Sequence, residues 1–274
     1  MKTSLMNVPP RLVRELRRIV GKDHVTTLGS ELQVYDSDGL TLHTARPAAV
    51  VYPATTGDCS AIVRACRNHG VPFVARGAGT GLSGGAISDG GVILQMSRMD
   101  QVLALHPDDG YAVVQPGVVN SYLSLQARPY GLVFAPDPSS QAACTIGGNV
   151  AENAGGPHTL KYGVTSNNLL GLTVVFPDGE VATFGGALPV RSGPDFTTFL
   201  AGSEGTIAIT TEIVVSLVPV SPAVITMLAV FSDVGAATES VSAILAAGVL
   251  PTALELVDNL CIQAVEAHLK AGFP

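Results

Sequence analysis

Apolar positions recur at helical spacing over residues 9–20 (PPRLVRELRRIV), with Leu12, Leu16, Ile19 and Val20 on one face. A polar, irregular stretch follows. Residues 47–53 (PAAVVYP) then read as a short apolar strand. Thr56 is expected to cap a helix running to about His69, with Ile62, Val63 and Cys66 facing inward and Gly70 as its stop. Residues 71–75 and 92–96 are strands, separated by the glycine-rich loop 77–91. The pattern so far is a β-α-β unit. Beyond it, 101–105 and 111–115 flank the turn Pro107-Asp108-Asp109-Gly110, and 170–176 and 180–184 flank Pro177-Asp178-Gly179, two hairpin signals. Asn120 is expected to cap a helix to about Tyr130, 196–200 is a short helix and 207–217 a strand. Pro219-Val220-Ser221-Pro222 marks a boundary, after which the pattern predicts strand 224–231, helix 233–247, strand 252–257 and helix 258–269.

Residues 213–232 carry no charge over 20 positions, the length that spans a bilayer. Pro219 and Pro222 cut that run into two β-branched pieces, so it reads as two buried strands rather than a transmembrane helix. The first 20 residues carry arginines and no long apolar run, and no secretory signal is expected. Charged residues are 14% of the chain, against about 25% in an average domain. With 47% hydrophobic residues this composition excludes disorder, and a net charge of −7 argues against a nucleic-acid partner. Cys59 and Cys66 lie seven apart on one helix, about 10.5 Å along its axis, too far for a disulfide. With Cys144 and Cys261 they read as small buried thiols of a cytoplasmic protein. The six histidines show no HxH or HxxxH spacing, so no metal site is expected.

The chemistry lies in three glycine-bearing segments. Gly79-x-Gly81-x-x-Gly84 formally fits a dinucleotide fingerprint. Its context does not fit, because Gly84, Gly85, Gly90 and Gly91 forbid the helix that should follow, and no acid ends the next strand. No lysine follows as in a P-loop. Successive glycines nevertheless allow backbone N–H groups to point into one concavity and hold a phosphate. The tract 134–156 adds Gly147-Gly148 with Asn149 and Asn153 four apart. Gly202-Ser203-Glu204-Gly205 adds a third small-residue turn before a strand. Three such segments suggest an extended ligand clasped along its length.

Together, PFVARGAGTGLSGGA, FAPDPSSQAACTIGGNVAENAGG, Tyr162-Gly163 and GSEGTIAI resemble the vanillyl-alcohol-oxidase (PCMH) type of FAD-binding domain. Within it the similarity is to the large flavin subunit of glycolate oxidase and to FAD-linked D-lactate and D-2-hydroxyacid dehydrogenases. The resemblance implies an α+β fold of two subdomains with FAD between them, plus the start of an α+β cap domain. Residues 1–46 would be a helical lead-in, 47–221 the FAD-binding domain (about 47–100 and 101–221), and 222–274 part of the substrate cap. Arg76, Gly77, Ala78, Gly79, Thr80, Gly81 and Ser83 match the pyrophosphate loop. Pro136, Asp137, Pro138, Thr145, Gly147, Gly148 and Asn149 match the segment along the ribityl chain and isoalloxazine, continued by Asn153 and Gly155. Glu204, Gly205 and Ile207 match the stretch near the adenosine and ring edge. Ala78 stands where some relatives carry a flavin-linking histidine, which implies non-covalent FAD.

The implied activity is oxidation of a 2-hydroxy acid to its 2-keto acid. The implied acceptor is an iron–sulfur or quinone-linked partner that could bring the protein to a membrane. The substrate base and metal motif of the subgroup belong to a later half that this sequence does not carry, so no catalytic side chain is transferred. His158 and Lys161 lie in a glycine-flanked loop that either faces the flavin or is solvated. Two other readings stay open: a flavin-binding module without activity of its own, and an NAD-dependent dehydrogenase.

Overall fold

A computed structural model describes residues 8–187 and 193–273. Residues 1–7, which open the segment read as lacking a secretory signal, lie outside them. The first layer comprises α1 (Pro10–Val20), β1 (Val25–Thr26), α2 (Gly29–Leu32), β2 (Ala49–Val51), α3 (Thr56–Asn68), β3 (Phe73–Arg76) and β4 (Val92–Gln95). Its sheet has the order β1-β2-β4-β3, with β2 and β3 both parallel to β4. Every residue of β2 is buried, as parallel strands with both faces covered require. Alternation along the strands divides them between two cores. Ala49, Val51, Val92 and Leu94 face Leu12, Leu16 and Ile62 from α1 and α3. Val50 and Ile93 face Leu32, Tyr35 and Tyr52 on the other side.

The cap of α3 is Thr55, not Thr56. Thr55 is extended (φ −138°, ψ 159°) and its hydroxyl accepts the Asp58 N–H at 3.0 Å, while Asp58 reaches back to the Thr55 N–H at 3.2 Å. A carboxylate three residues on decides between two adjacent threonines, because only one of them can close the reciprocal box. Thr56 instead donates its hydroxyl to Thr211 at 3.0 Å, across to the second layer.

That second layer comprises β5 (Val102–His106), β6 (Tyr111–Val114), α4 (Asn120–Ala127), β7 (Leu132–Val133), α5 (Ile146–Glu152), α6 (Thr159–Tyr162), β8 (Leu169–Val175), β9 (Val181–Gly185), α7 (Phe196–Leu200), β10 (Ile209–Ser216) and β11 (Val218–Pro219). Both expected hairpins form. The five-stranded sheet has the order β5-β6-β10-β8-β9 and is antiparallel throughout. Strict alternation in β10 sends Ile209, Thr211, Ile213 and Val215 inward. Helices α4 and α5 cover that face, with Leu123, Ile146 and Val150 in its core. The two layers meet along α3, where Ser60 Oγ donates to the Gly179 carbonyl at 2.6 Å and Arg64 to the same oxygen at 3.0 Å.

Asn120 is not a cap either. Val119 holds that position, and Asn120 opens α4 with its side chain buried. Past β11, helices α8 (Val234–Ala246) and α9 (Asn259–Leu269) form behind the caps Asp233 and Asp258. The strands expected at 224–231 and 252–257 do not form, and Val224, Ile225 and Met227 are more than four-fifths exposed. A helix closes its hydrogen bonds locally, whereas a β-branched run becomes a strand only against a partner edge, and none pairs with these segments among the described residues.

Cys59, Cys66 and Cys144 are buried and Cys261 is exposed, all four free. Burial pushes the thiols of Cys59 and Cys66 up to about 12. A thiol-specific chromogenic reagent should therefore titrate Cys261 in the native chain and all four cysteines in urea.

Candidate functional site

The glycine loop leaves the carboxyl end of β3, beside the Gln95 end of the neighbouring β4. Gly79 (φ +71°) and Gly84 (φ +82°) take left-handed backbone. A side chain on Gly79 would also collide with the Arg76 guanidinium. Among the described residues, no backbone N–H from Ala78 to Ser83 has a hydrogen-bond acceptor. Six consecutive donors left unspent on a concave surface form a nest for an anion.

Two further segments close on this loop. Thr145 caps α5, its hydroxyl accepting the Gly148 N–H at 3.2 Å, and the same hydroxyl occupies the space a Gly77 side chain would need. Gly147 packs so tightly on Pro116 that a Cβ would stand 2.5 Å from the proline ring. The turn 202–205 docks on the far end of α5: the N–H groups of Gly202 and Glu204 donate to Val150 and Ala151 at 2.8 Å each. Glu204 pays for this with a left-handed φ of +52°.

The three segments enclose a cavity of about 310 Å³. Gly77, Ala78, Gly79, Thr80, Gly81, Ser83, Pro138, Thr145, Gly148, Asn149 and Glu204 line it. A smaller hollow of about 60 Å³ adjoins it, lined by Arg76, Gly147 and Gly205. A third, of about 600 Å³, opens on the other side of Gly77 between Gln95, Asp100 and Tyr122. Gly77 lines all three hollows, which places the glycine loop at their common border.

Five residues singled out in the sequence do not line these hollows. The Pro136 carbonyl accepts from Asn120, and Asp137 grips His158 through its N–H (3.1 Å) and Nδ1 (3.0 Å). Asn153 ends α5 in left-handed backbone (φ +48°) and accepts the Ser166 N–H. Gly155 packs on Thr159, and Ile207 joins the core under β10. His158 and Lys161 line none of these three hollows; the Lys161 ammonium sits over the Tyr162 ring. The Arg76 guanidinium is turned away from the cavity, donating to Ser37 and Ala86 carbonyls and lying 5.6 Å from the centre of the Tyr35 ring.

Sequence reading missed Asp38, Glu152 and Asn120. Asp38 lines the main cavity. Burial alone would raise its pKa, but the N–H groups of Leu40, Gly84 and Thr41 outweigh that and hold it below the usual carboxylate value. Glu152 also lines the cavity and accepts the Ser83 hydroxyl at 2.8 Å. Asn120 donates to the Pro136 carbonyl at 3.0 Å and to Asn149 Oδ1 at 2.8 Å, and Asn149 in turn contacts the Cys144 sulfur at 3.3 Å. Its burial was legible, since 120, 123 and 127 fall on one helical face. Asn120 Oδ1 and Gln95 Oε1 are buried acceptors without a partner among the described residues.

The two-layer α+β fold and the cavity between three glycine-bearing segments define the class of domain. The chain belongs to the FAD-binding domain family, whose profile matches residues 47–185; residues 220–274 match the C-terminal domain of FAD-linked oxidases. It is 46% identical over 245 residues to the glycolate oxidase subunit GlcD of Escherichia coli, covering 89% of this chain and 49% of that protein. It is 31% identical over 266 residues to a D-lactate dehydrogenase of Anaerostipes hadrus, covering 96% and 55%. The chain thus spans about half the length of these relatives. The structure of an alkyldihydroxyacetonephosphate synthase superposes with a TM-score of 0.77 at 22% identity, over 92% of this chain and 48% of that one, a likeness of fold. Among the described residues, no three His, Cys, Asp or Glu side chains group to hold a metal ion, and no helix is long and apolar enough to cross a membrane.

The Asn120–Asn149 link braces the start of α4 against α5. Asn120→Ala leaves Asn149 Oδ1 without this donor, and should cost about 1–3 kcal/mol of unfolding free energy in a urea titration.

Proposed function

We propose that the chain is an FAD-dependent oxidoreductase, or the FAD-binding part of one, that oxidises a 2-hydroxy acid such as glycolate or D-lactate to the 2-keto acid. The single observation that carries cofactor binding is the run of unspent N–H groups from Ala78 to Ser83 within a family named for FAD. Support for the substrate class comes from relatives named for glycolate and for D-lactate, which are both 2-hydroxy acids.

The residues fit such a cofactor. Backbone amides 78–83 would hold the pyrophosphate without a cationic side chain. The missing side chains of Gly77 and Gly79 let the loop pack against Thr145 and the Arg76 guanidinium, and Arg76 also holds it through the Ala86 carbonyl. Pro138, Thr145, Gly147, Gly148 and Asn149 would run along the ribityl chain and ring. Glu204 and Gly205 would border the adenosine and ring edge, with Ile207 in the core behind them. Pro136, Asp137, Asn153 and Gly155 would shape the wall behind them. When bound, FAD supplies the hydride acceptor that no side chain can provide. The chain's part is to bind it, orient it and exclude water from its phosphates. Residues 47–221 would form the cofactor domain and 222–274 the beginning of a substrate cap. Electrons would leave to an iron–sulfur or quinone-linked partner subunit, and the flavin would be held without a covalent bond, since Ala78 offers no nucleophile.

A second reading has its own observation. The apolar stretch 224–231 is exposed, so the cap as described buries nothing over the site, and the chain would then bind flavin without turnover.

The purified protein should be yellow with an oxidised-flavin spectrum, and acid precipitation should leave all the flavin in the supernatant. Dye reduction by glycolate or D-lactate separates the first reading from the second. Gly79→Asp drives a side chain into the Arg76 guanidinium from left-handed backbone, and the displaced loop should no longer retain flavin; unchanged occupancy would remove the loop from the site.

A further inference from the structure

One wall of the cavity comes from chain that precedes the matched FAD-binding region, which begins at residue 47. Asp38 is 8% exposed, and its Oδ2 accepts the Gly84 N–H at 2.9 Å. Its Oδ1 accepts the Leu40 N–H at 2.9 Å and the Thr41 N–H at 3.4 Å. The next residue, Gly39, donates its N–H to the Gly81 carbonyl at 2.9 Å. The residue before, Ser37, offers its carbonyl to Arg76 Nη1 at 2.9 Å. Three consecutive residues therefore hold the glycine loop at its root, its middle and its far shoulder.

The choice of atoms is informative. The strap takes a carbonyl at Gly81 and the N–H of Gly84, the first donor beyond the unspent run. None of the six free amides is consumed. The approach is close: a Cβ on Gly39 would stand 2.7 Å from the Thr80 carbonyl oxygen. The Asp38 charge is met by three backbone N–H groups, which offsets its repulsion of an anion in the same cavity. A loop this rich in glycine would otherwise lose much backbone freedom on closing around a ligand. A strap that fixes it beforehand transfers that cost from binding to folding.

We propose that Ser37–Gly39 is a strap that holds the glycine loop open to a pyrophosphate, with Asp38 as its positioning residue. The inference rests on the FAD reading above and extends the cofactor cradle to a segment outside the matched domain.

The test uses the full chain, stripped of flavin and titrated with FAD by quenching of flavin fluorescence. Asp38→Asn retains the acceptor for Leu40 but turns an amide toward the Gly84 N–H. Gly39→Ala strikes Thr80 by an unrelated route. Each should weaken FAD binding about tenfold, Asp38→Asn by losing one charge-assisted hydrogen bond and Gly39→Ala by pushing the strap off the loop. The melting temperature of the flavin-free protein should stay at the wild-type value. The double variant should be no weaker than the poorer single, because both break one strap. Chymotrypsin should cut the flavin-free variants faster at Leu82, which is 63% exposed on that loop. Wild-type FAD affinity in both single variants overturns the strap, as does a melting temperature that falls in step with affinity. A wild-type chain that binds no FAD overturns the cofactor reading instead, and the cleavage rates still decide whether the strap holds the loop.

Discussion

The contact between Gly77 and the Thr145 hydroxyl is where the mixed sheet of the first layer touches the helical cover of the second. Thr145 is committed to the start of α5, so its oxygen cannot retreat, and the loop after β3 must pass without a side chain. Once that approach is fixed, the rest of the site follows. The loop is pinned at Ala86 by Arg76, at Gly77 by Gln95 and at Ser83 by Glu152, while the Ala78–Ser83 amides stay unspent beside the cavity that these residues line. Removing side chains from a few positions has thus produced donors instead of adding any charged group.

The distribution of charge around the cavity follows from this economy. Asp38, Glu152 and Glu204 all stand at its walls, and the Arg76 guanidinium is occupied with carbonyls. A ligand carrying phosphate would have to be held by main-chain dipoles in preference to opposite charge. Such binding depends on shape far more than on ionic strength, since the donors are fixed partial charges at contact distance.

Local signals are written in the sequence itself. Glycine, proline and hairpin turns are punctuated by single residues, so both hairpins, the glycine loop and the tract before α5 could be placed from the sequence. What the sequence concealed were polar residues whose partners are remote. Asp38 reaches Gly84, Glu152 reaches Ser83, and the Asn120 amide reaches Pro136 and Asn149. The Thr55–Thr56 choice turned on one carboxylate that composition alone does not rank. Residues 224–231 and 252–257 failed for a different reason: propensity describes what a segment would do beside a sheet edge, and cannot supply the edge.

The walls of the cavity come from residues near 38, 77–85, 145–149 and 202–205, so no short stretch of the chain contains it. Strand β10, which closes the second sheet between β6 and β8, ends at Ser216. On a ribosome, the first sheet would be complete more than a hundred residues before its groove acquired a far side. A nascent chain could therefore collect its ligand only late in synthesis, after slow long-range closure had already taken place.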